Sequence, residues 1–231
     1  MTITSDKGHD CGVPASAPCS LHELGPDGTP RLDPVQARDV ARWRKAERER
    51  LLAERSAFTV EYRTQQALAI AEALDRILAA VPGTTVSVYW PIRAEPDLRP
   101  WMHALSKAGM RIAVPVALAL GQPLVFREWH PHARLAHGLW KIPYPADGAQ
   151  VTPDIVIAPL VGFDGSCYRL GYGGGFFDRT LATLSPKALA IGVGYPDASL
   201  RTIYPQPHDV PMDWIVTGSL PSVRRAAPPK T

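Results

Sequence analysis

Cysteine is scarce in this sequence: three residues, Cys11, Cys19 and Cys167, stand among 231. They cannot all pair and two fall in the first twenty positions, which argues against a disulfide framework and fits a reducing compartment. A run of about 18 apolar residues, the length a membrane helix needs, is missing. Positions 1–30 also lack the basic and apolar blocks of a secretory leader. The expected location is therefore the cytoplasm, with no membrane partner. One-sided charge is missing too, with 25 Lys+Arg against 22 Asp+Glu and a net charge of +3. That balance excludes a general attraction to nucleic acid or anionic lipid.

What is present is the composition of a globular chain, 45% hydrophobic and 20% charged. The 24 prolines and 18 glycines stay below the roughly 25–30% combined share that marks low complexity. Length permits one domain or at most two. Residues 1–33 show no sustained period and read as an irregular extension, 34–221 as one domain, and 222–231 as a tail. A monomer is expected. His9, His22, Cys11 and Cys19 have no compact metal-ligand spacing.

Asp33-Pro34 has the form of a helix start, an N-cap followed by proline in the first turn. Segment 38–55 carries seven basic and four acidic side chains, a local excess equal to that of the whole protein. Leu68, Ala71, Leu74, Ile77, Leu78 and Val81 recur at three- and four-residue steps, predicting one apolar helix face that Pro82-Gly83 ends. Strand-like runs follow at 86–90, 112–118, 124–129, 155–161 and 189–195, with a weaker one at 215–217. Helical stretches fall at 97–108 and 177–184. The continuous apolar runs at 155–161 and 189–193 suit strands buried on both faces. The fold class expected is α/β, a single domain with a mostly parallel or mixed sheet flanked by helices.

The most informative segment is Arg169-Leu-Gly-Tyr-Gly-Gly-Gly-Phe-Phe-Asp-Arg179. Gly171, Gly173, Gly174 and Gly175 permit positive φ and expose successive N–H groups, which at a helix N-terminus can cradle phosphate. Arg169 and Arg179 could add charge-assisted bonds, and Asp178 could hold magnesium bridging phosphate oxygens. A tight structural turn is the alternative, with Asp178 as a helix cap. The G-x-G-x-x-G dinucleotide fingerprint fails, because Phe176 stands at its last glycine, and no G-x-x-x-x-G-K-[ST] occurs.

This loop resembles that of the 5-formyltetrahydrofolate cyclo-ligase (5,10-methenyltetrahydrofolate synthetase) family. Three further segments agree in order and spacing: Tyr89-Trp-Pro-Ile-Arg-Ala-Glu-Pro-Asp97, Trp140-Lys-Ile-Pro-Tyr-Pro145 and His208-Asp-Val-Pro-Met-Asp213. The resemblance implies ATP- and Mg2+-dependent conversion of 5-formyltetrahydrofolate to 5,10-methenyltetrahydrofolate, with ADP and phosphate. The γ-phosphoryl group activates the formyl oxygen, and N10 then closes the ring as phosphate leaves. Carried over by position, Arg169, Gly171, Tyr172, Gly173, Gly174, Gly175, Phe176 and Phe177 line the ATP phosphates, with Trp140 as a wall for the nucleotide. Glu95 and Trp90 face the folate with Tyr172 and Phe176, while Asp178 and Asp209 match the magnesium carboxylates. A basic pair on the family's first helix matches Arg44-x-x-x-Arg48, with Lys45 as the alternative to Arg44. Taken singly, Glu95 could be a first-turn helix residue, Asp209 a solvated turn aspartate, and Trp90 and Trp140 core residues.

The chain departs from the family at Phe177, where many members have tyrosine, and at Phe176, where some do; packing is kept and one polar contact is lost, worth about 1 kcal/mol. Two other readings stay open: a family relative acting on another pterin or heterocycle, and a non-catalytic folate- or nucleotide-binding protein.

Overall fold

In a computed structural model, residues 23–24, 30–31, 34–78, 83–219 and 221–226 are described. Asp33, Val81, Pro82 and the His9/His22/Cys11/Cys19 set therefore lie outside the described residues. Contacts divide the chain into a unit of residues 1–43 and a unit of 44–231. In the first, Glu23–Leu24 pairs antiparallel with Pro30–Arg31, and Arg42 bonds Asp39 at 2.6 Å.

Helix α1, Pro34–Ser56, enters the second unit at Arg44. Helix α2, Val60–Ile77, starts at Thr59, whose hydroxyl accepts the Tyr62 N–H, satisfying one of the free donors of a first turn. Strand β1 (Thr85–Val88), helix α3 (Arg99–Lys107) and strand β2 (Arg111–Val116) follow. Then come β3 (Val125–Trp129), β4 (Gln150–Val151) and β5 (Ile155–Pro159). Helix α4 (Phe176–Thr183), β6 (Leu189–Val193), β7 (Trp214–Val216) and β8 (Val223–Arg224) complete the order.

The eight strands form one sheet in the order β8-β7-β6-β5-β1-β2-β3-β4. The five from β7 to β2 are parallel, with Val86 beside Ile155 and Ile157 beside Ile191. β3, β4 and β8 add antiparallel edges. Alternation sorts the strand residues to two faces. Val86, Val88, Ile112, Val114, Ile157, Ile191 and Val193 pack with Ile70 and Leu74 of α2 and Trp101, Met102 and Leu105 of α3. Ala113, Val156, Ala158, Ala190 and Ile215 pack on the other face with Leu51 of α1 and Leu181 of α4. Helices thus cover both faces of a mixed, mostly parallel sheet, the class the sequence predicts.

Leu68 corrects the expected face of α2. It is 60% exposed, because Ile70 is fully buried and two residues turn a helix through about 200°. The face that packs is Gln66, Ala67, Ile70, Ala73 and Leu74.

Two hairpins matter for function. Gly162–Asp164 pairs antiparallel with Arg169–Leu170. Asp164, at its turn, accepts N–H bonds from Ser166, Tyr168 and Ile203, which fixes the direction in which the chain leaves Leu170. In the second hairpin Leu135–His137 pairs with Pro143–Pro145, and Trp140 and Lys141 at its tip both have positive φ, 54° and 58°.

Candidate active site

Chain order places β2 on one side of β1, and β6 and β7 on the far side of β5. The β1/β5 boundary is therefore where connections diverge, and a crevice forms at the carboxyl ends of such strands. Tyr89 and Trp90 after β1, Pro115, Val116 and Ala117 at the end of β2, and Pro159 at the end of β5 line a cleft of about 570 Å3. That volume lies within the usual range of roughly 300–1,000 Å3 for small-molecule sites.

One end of the cleft is the glycine loop. Gly173 (φ +93°) and Gly175 (φ +64°) hold backbone that a Cβ would strain, and Gly175 is the N-cap of α4. Arg48 Nε donates to the Gly171 carbonyl at 2.8 Å, and its guanidinium lies against Gly173. Burial and the neighbouring Arg44 charge lower the Arg48 pKa, with Asp209 partly offsetting them. No carboxylate among the described residues pairs with Arg48, so it is a cation that an anionic ligand would stabilise. Arg179 bonds the carbonyls of Gly174 and Gly175 and lies over the Phe176 ring at 5.6 Å. It fixes the turn.

The two candidate magnesium carboxylates each meet an arginine. Arg169, with only 4% of its side chain exposed, bonds Asp178 at 2.9 Å, and burial lowers its pKa. Asp209 accepts from Arg44 and from Gln206 N–H, while Arg44 also donates to the carbonyls of Ile203 and Tyr204. Asp178 is not the N-cap of α4, which is Gly175, and its carboxylate faces Arg169 and the Val210 N–H; Asp209 is 8% exposed at its side chain, not a solvated turn residue. The Val210 N–H points at Asp178, 3.4 Å away, bringing the two acids to the same wall. Lys45 is 76% exposed beside Glu49; Arg44, not Lys45, faces the cleft.

The other end is built around Glu95. Arg93 and Ala94 take positive φ, 46° and 58°, and the Tyr195 hydroxyl holds the Ala94 carbonyl at 2.9 Å. That bend turns Glu95 inward to 5% exposure. One of its oxygens accepts from Ile92 N–H and the other from the Tyr172 hydroxyl, both at 2.8 Å. Burial raises the Glu95 pKa against the pull of these bonds and of Arg55 and Arg93. Glu95 is thus neither exposed nor in a first turn, because α3 begins only at Arg99.

Aromatic rings wall the space between. Trp90 is half-buried, packing on the core and lining the cleft. Trp140 is 62% exposed and stands edge-on to Phe176, with centroids 5.4 Å apart. Phe177 packs under Arg169 at 5.2 Å. The site residues that the resemblance implies all line this one cleft; Arg179, the other cation considered for phosphate, does not, and holds the Gly174 and Gly175 carbonyls instead. Sequence reasoning missed Arg93, His208 and Tyr144, which line it too, and Arg55, which reaches Tyr172 from α1. The signal for Arg55 was its spacing: Arg44, Arg48, Leu51 and Arg55 follow four-three-four steps along one helix face.

A parallel sheet covered on both faces, opening at its switch point into a cleft with a cationic glycine loop at one end and a buried carboxylate at the other, defines an α/β enzyme with a two-part small-molecule site. The 5-formyltetrahydrofolate cyclo-ligase family model matches residues 40–218. The 5-formyltetrahydrofolate cyclo-ligase of Escherichia coli K12 is 32% identical over 173 residues, covering 71% of this chain and 94% of that one. Its counterpart from Mycolicibacterium smegmatis is 33% identical over 145 residues, covering 59% and 75%. The fold matches that of a 5,10-methenyltetrahydrofolate synthetase from Aquifex aeolicus at a TM-score of 0.69 and 26% identity, over 81% of this chain and 95% of that one. The chain belongs to the 5-formyltetrahydrofolate cyclo-ligase family and is an enzyme of the cyclo-ligase type.

Proposed function

We propose that the enzyme uses ATP to convert 5-formyltetrahydrofolate into 5,10-methenyltetrahydrofolate, ADP and phosphate. The observation that carries this reading is the shared cleft, in which one loop, 171–177, serves both the cationic end and the Glu95 end. ATP phosphates lie on the N–H groups of Gly173 to Gly175, beside Arg48, which no carboxylate among the described residues pairs. The pterin edge, rich in N–H donors, meets Glu95, with Trp90 along its face. Tyr172 and Phe176 stand between the two ligands.

Activation is needed because an amide-like oxygen is a poor leaving group. Transfer of the γ-phosphoryl group to the formyl oxygen gives an imidate phosphate. N10 attacks the formyl carbon, the carbon–oxygen bond breaks, and the N10 proton leaves with phosphate. The protein aligns the formyl oxygen with the γ-phosphorus and offsets charge on the transferring group, which is the main catalytic need in phosphoryl transfer.

The donor set fits magnesium that arrives on the nucleotide. Among the described residues no group of three or more ligating side chains exists, and magnesium commonly takes one or two carboxylates with phosphate and water. Asp178 and Asp209 are the acids that would meet it, and the ion would offset phosphate charge. Arg169 and Arg44 would then be free to turn toward phosphate.

Purified protein incubated with 5-formyltetrahydrofolate and MgATP should develop the absorbance of the methenyl product. The reading fails if no signal depends on both ATP and magnesium.

A further inference from the structure

Arg55 lies outside the lining of the cleft yet reaches its carboxylate end. It is 4% exposed. One terminal nitrogen donates to the Leu160 carbonyl at 3.3 Å and the other to the Tyr172 hydroxyl, while Nε is buried with no partner among the described residues. For stability alone this is a poor arrangement, since a buried cation with an unmade bond costs free energy that an apolar side chain would not.

The geometry has a directional consequence. A guanidinium can only donate, so the Tyr172 oxygen accepts from Arg55 and its single proton must go elsewhere. It goes to Glu95, 2.8 Å away. The chain Arg55, Tyr172, Glu95 thus crosses from α1 through the glycine loop to the loop after β1. We infer that Arg55 is a positioning residue, clamping the Tyr172 hydroxyl against Glu95 from inside the protein and holding the phosphate loop in register with the carboxylate that receives the substrate. Its effect on substrate rests on the folate reading of Glu95; the clamp itself does not.

The charged and titratable groups facing Glu95 are Arg55 from α1, Tyr172 from the glycine loop, Arg93 on its own loop, Tyr89 after β1 and Tyr195 after β6. Of these, Arg55 and Arg93 are the cations that favour an ionised Glu95. Arg93 is exposed to solvent and screened by it. The buried Arg55 acts at lower effective dielectric, where its charge has more force.

The test is Arg55→Gln in the full-length protein, because glutamine can still donate to Leu160 and spare the fold. Carbon-13 NMR of glutamate-labelled protein, with the Glu95 signal assigned by its loss in Glu95→Gln, reads the carboxyl directly and needs no turnover. Arg55→Gln should raise the Glu95 midpoint, and Arg55→Lys should return it toward the wild-type value. In active enzyme Arg55→Gln should raise the KM for 5-formyltetrahydrofolate about tenfold, the effect of losing one positioning hydrogen bond. With 5-formyltetrahydrofolate held well below its own KM, so that coupling between the ligands does not enter, the KM for ATP should stay within about twofold. An unmoved Glu95 midpoint, or both KM values rising together, overturns the inference. If circular dichroism shows Arg55→Gln unfolded, Tyr172→Phe cuts the same link with Arg55 in place, and an unmoved Glu95 midpoint there overturns it equally. Wild-type protein without turnover but with the expected NMR shifts would sink the proposed reaction and leave the clamp standing.

Discussion

Glu95 shows at the scale of one side chain how a site is bought with stability. Burial lifts its pKa above the ordinary 4.5, so between that value and the folded one the native state keeps a proton that the unfolded chain has released. Stability must then fall as pH rises through that window, and level off above it. Glu95→Gln removes the titration. Urea denaturation at pH 4 and pH 7 should show wild type losing stability relative to Glu95→Gln on going to the higher pH, while the variant has little turnover; parallel curves would refute the assignment. Asp178 gives the opposite case. Its partner Arg169 has 4% of its side chain exposed, so Asp178→Ala strands a buried charge and should cost about 3–5 kcal/mol. Asp178→Asn keeps an oxygen for Arg169 but removes the charge, so it should lose most of that stability and a similar share of turnover. A much smaller stability loss in Asp178→Asn would mean that Asp178 supplies an oxygen acceptor and not charge pairing.

Elements explain which of these residues could be read in advance. The glycine loop was legible because four glycines, two arginines and an aspartate in eleven positions have few purposes, and Arg48 because a four-residue step puts it on the face of Arg44. Arg55 belongs to the same helix face, yet its exposed neighbours Arg50 and Glu54 form a solvent-side ion pair at 2.7 Å, and nothing local separates an arginine that turns inward from one that does not. The bend at Arg93 and Ala94 was equally hidden, because left-handed backbone at non-glycine residues is imposed by the surroundings; here the Tyr195 hydroxyl holds it from a distant strand end. Leu68 failed for a related reason: leucine spacing marks a stripe, but the sheet decided which side of the stripe packs. Within the loop, Gly173→Ala places a Cβ at φ +93° and should cost about 1–2 kcal/mol. Its KM for ATP should rise well beyond that for the folate. A folate effect as large as the ATP effect would show that the loop does not divide the two ligands as drawn.

For the whole molecule, the parallel core was legible because apolar runs without alternation leave few alternatives, whereas strand order was not, since pairing partners are far apart in sequence. That order matters most for function, because it puts the divergence of connections between β1 and β5 and so sets the cationic loop and the buried Glu95 on one cleft rather than two. The shared loop then makes a thermodynamic demand. If Tyr172 must be against Glu95 for the substrate and its glycine neighbours ordered for the nucleotide, either ligand meets part of the ordering cost for the other, and the two must bind with positive coupling. Coupling is reciprocal. Calorimetry with a non-transferable ATP analogue should show 5-formyltetrahydrofolate tightening about fivefold or more when the analogue is present, and the analogue tightening by the same factor in the reverse order. Tyr172→Phe, which keeps the ring but severs the link to Glu95, should reduce that factor toward one. Independent binding in wild type, with each affinity indifferent to the other ligand, would show that the loop is already ordered in the free enzyme and that the cleft works as two separate sites.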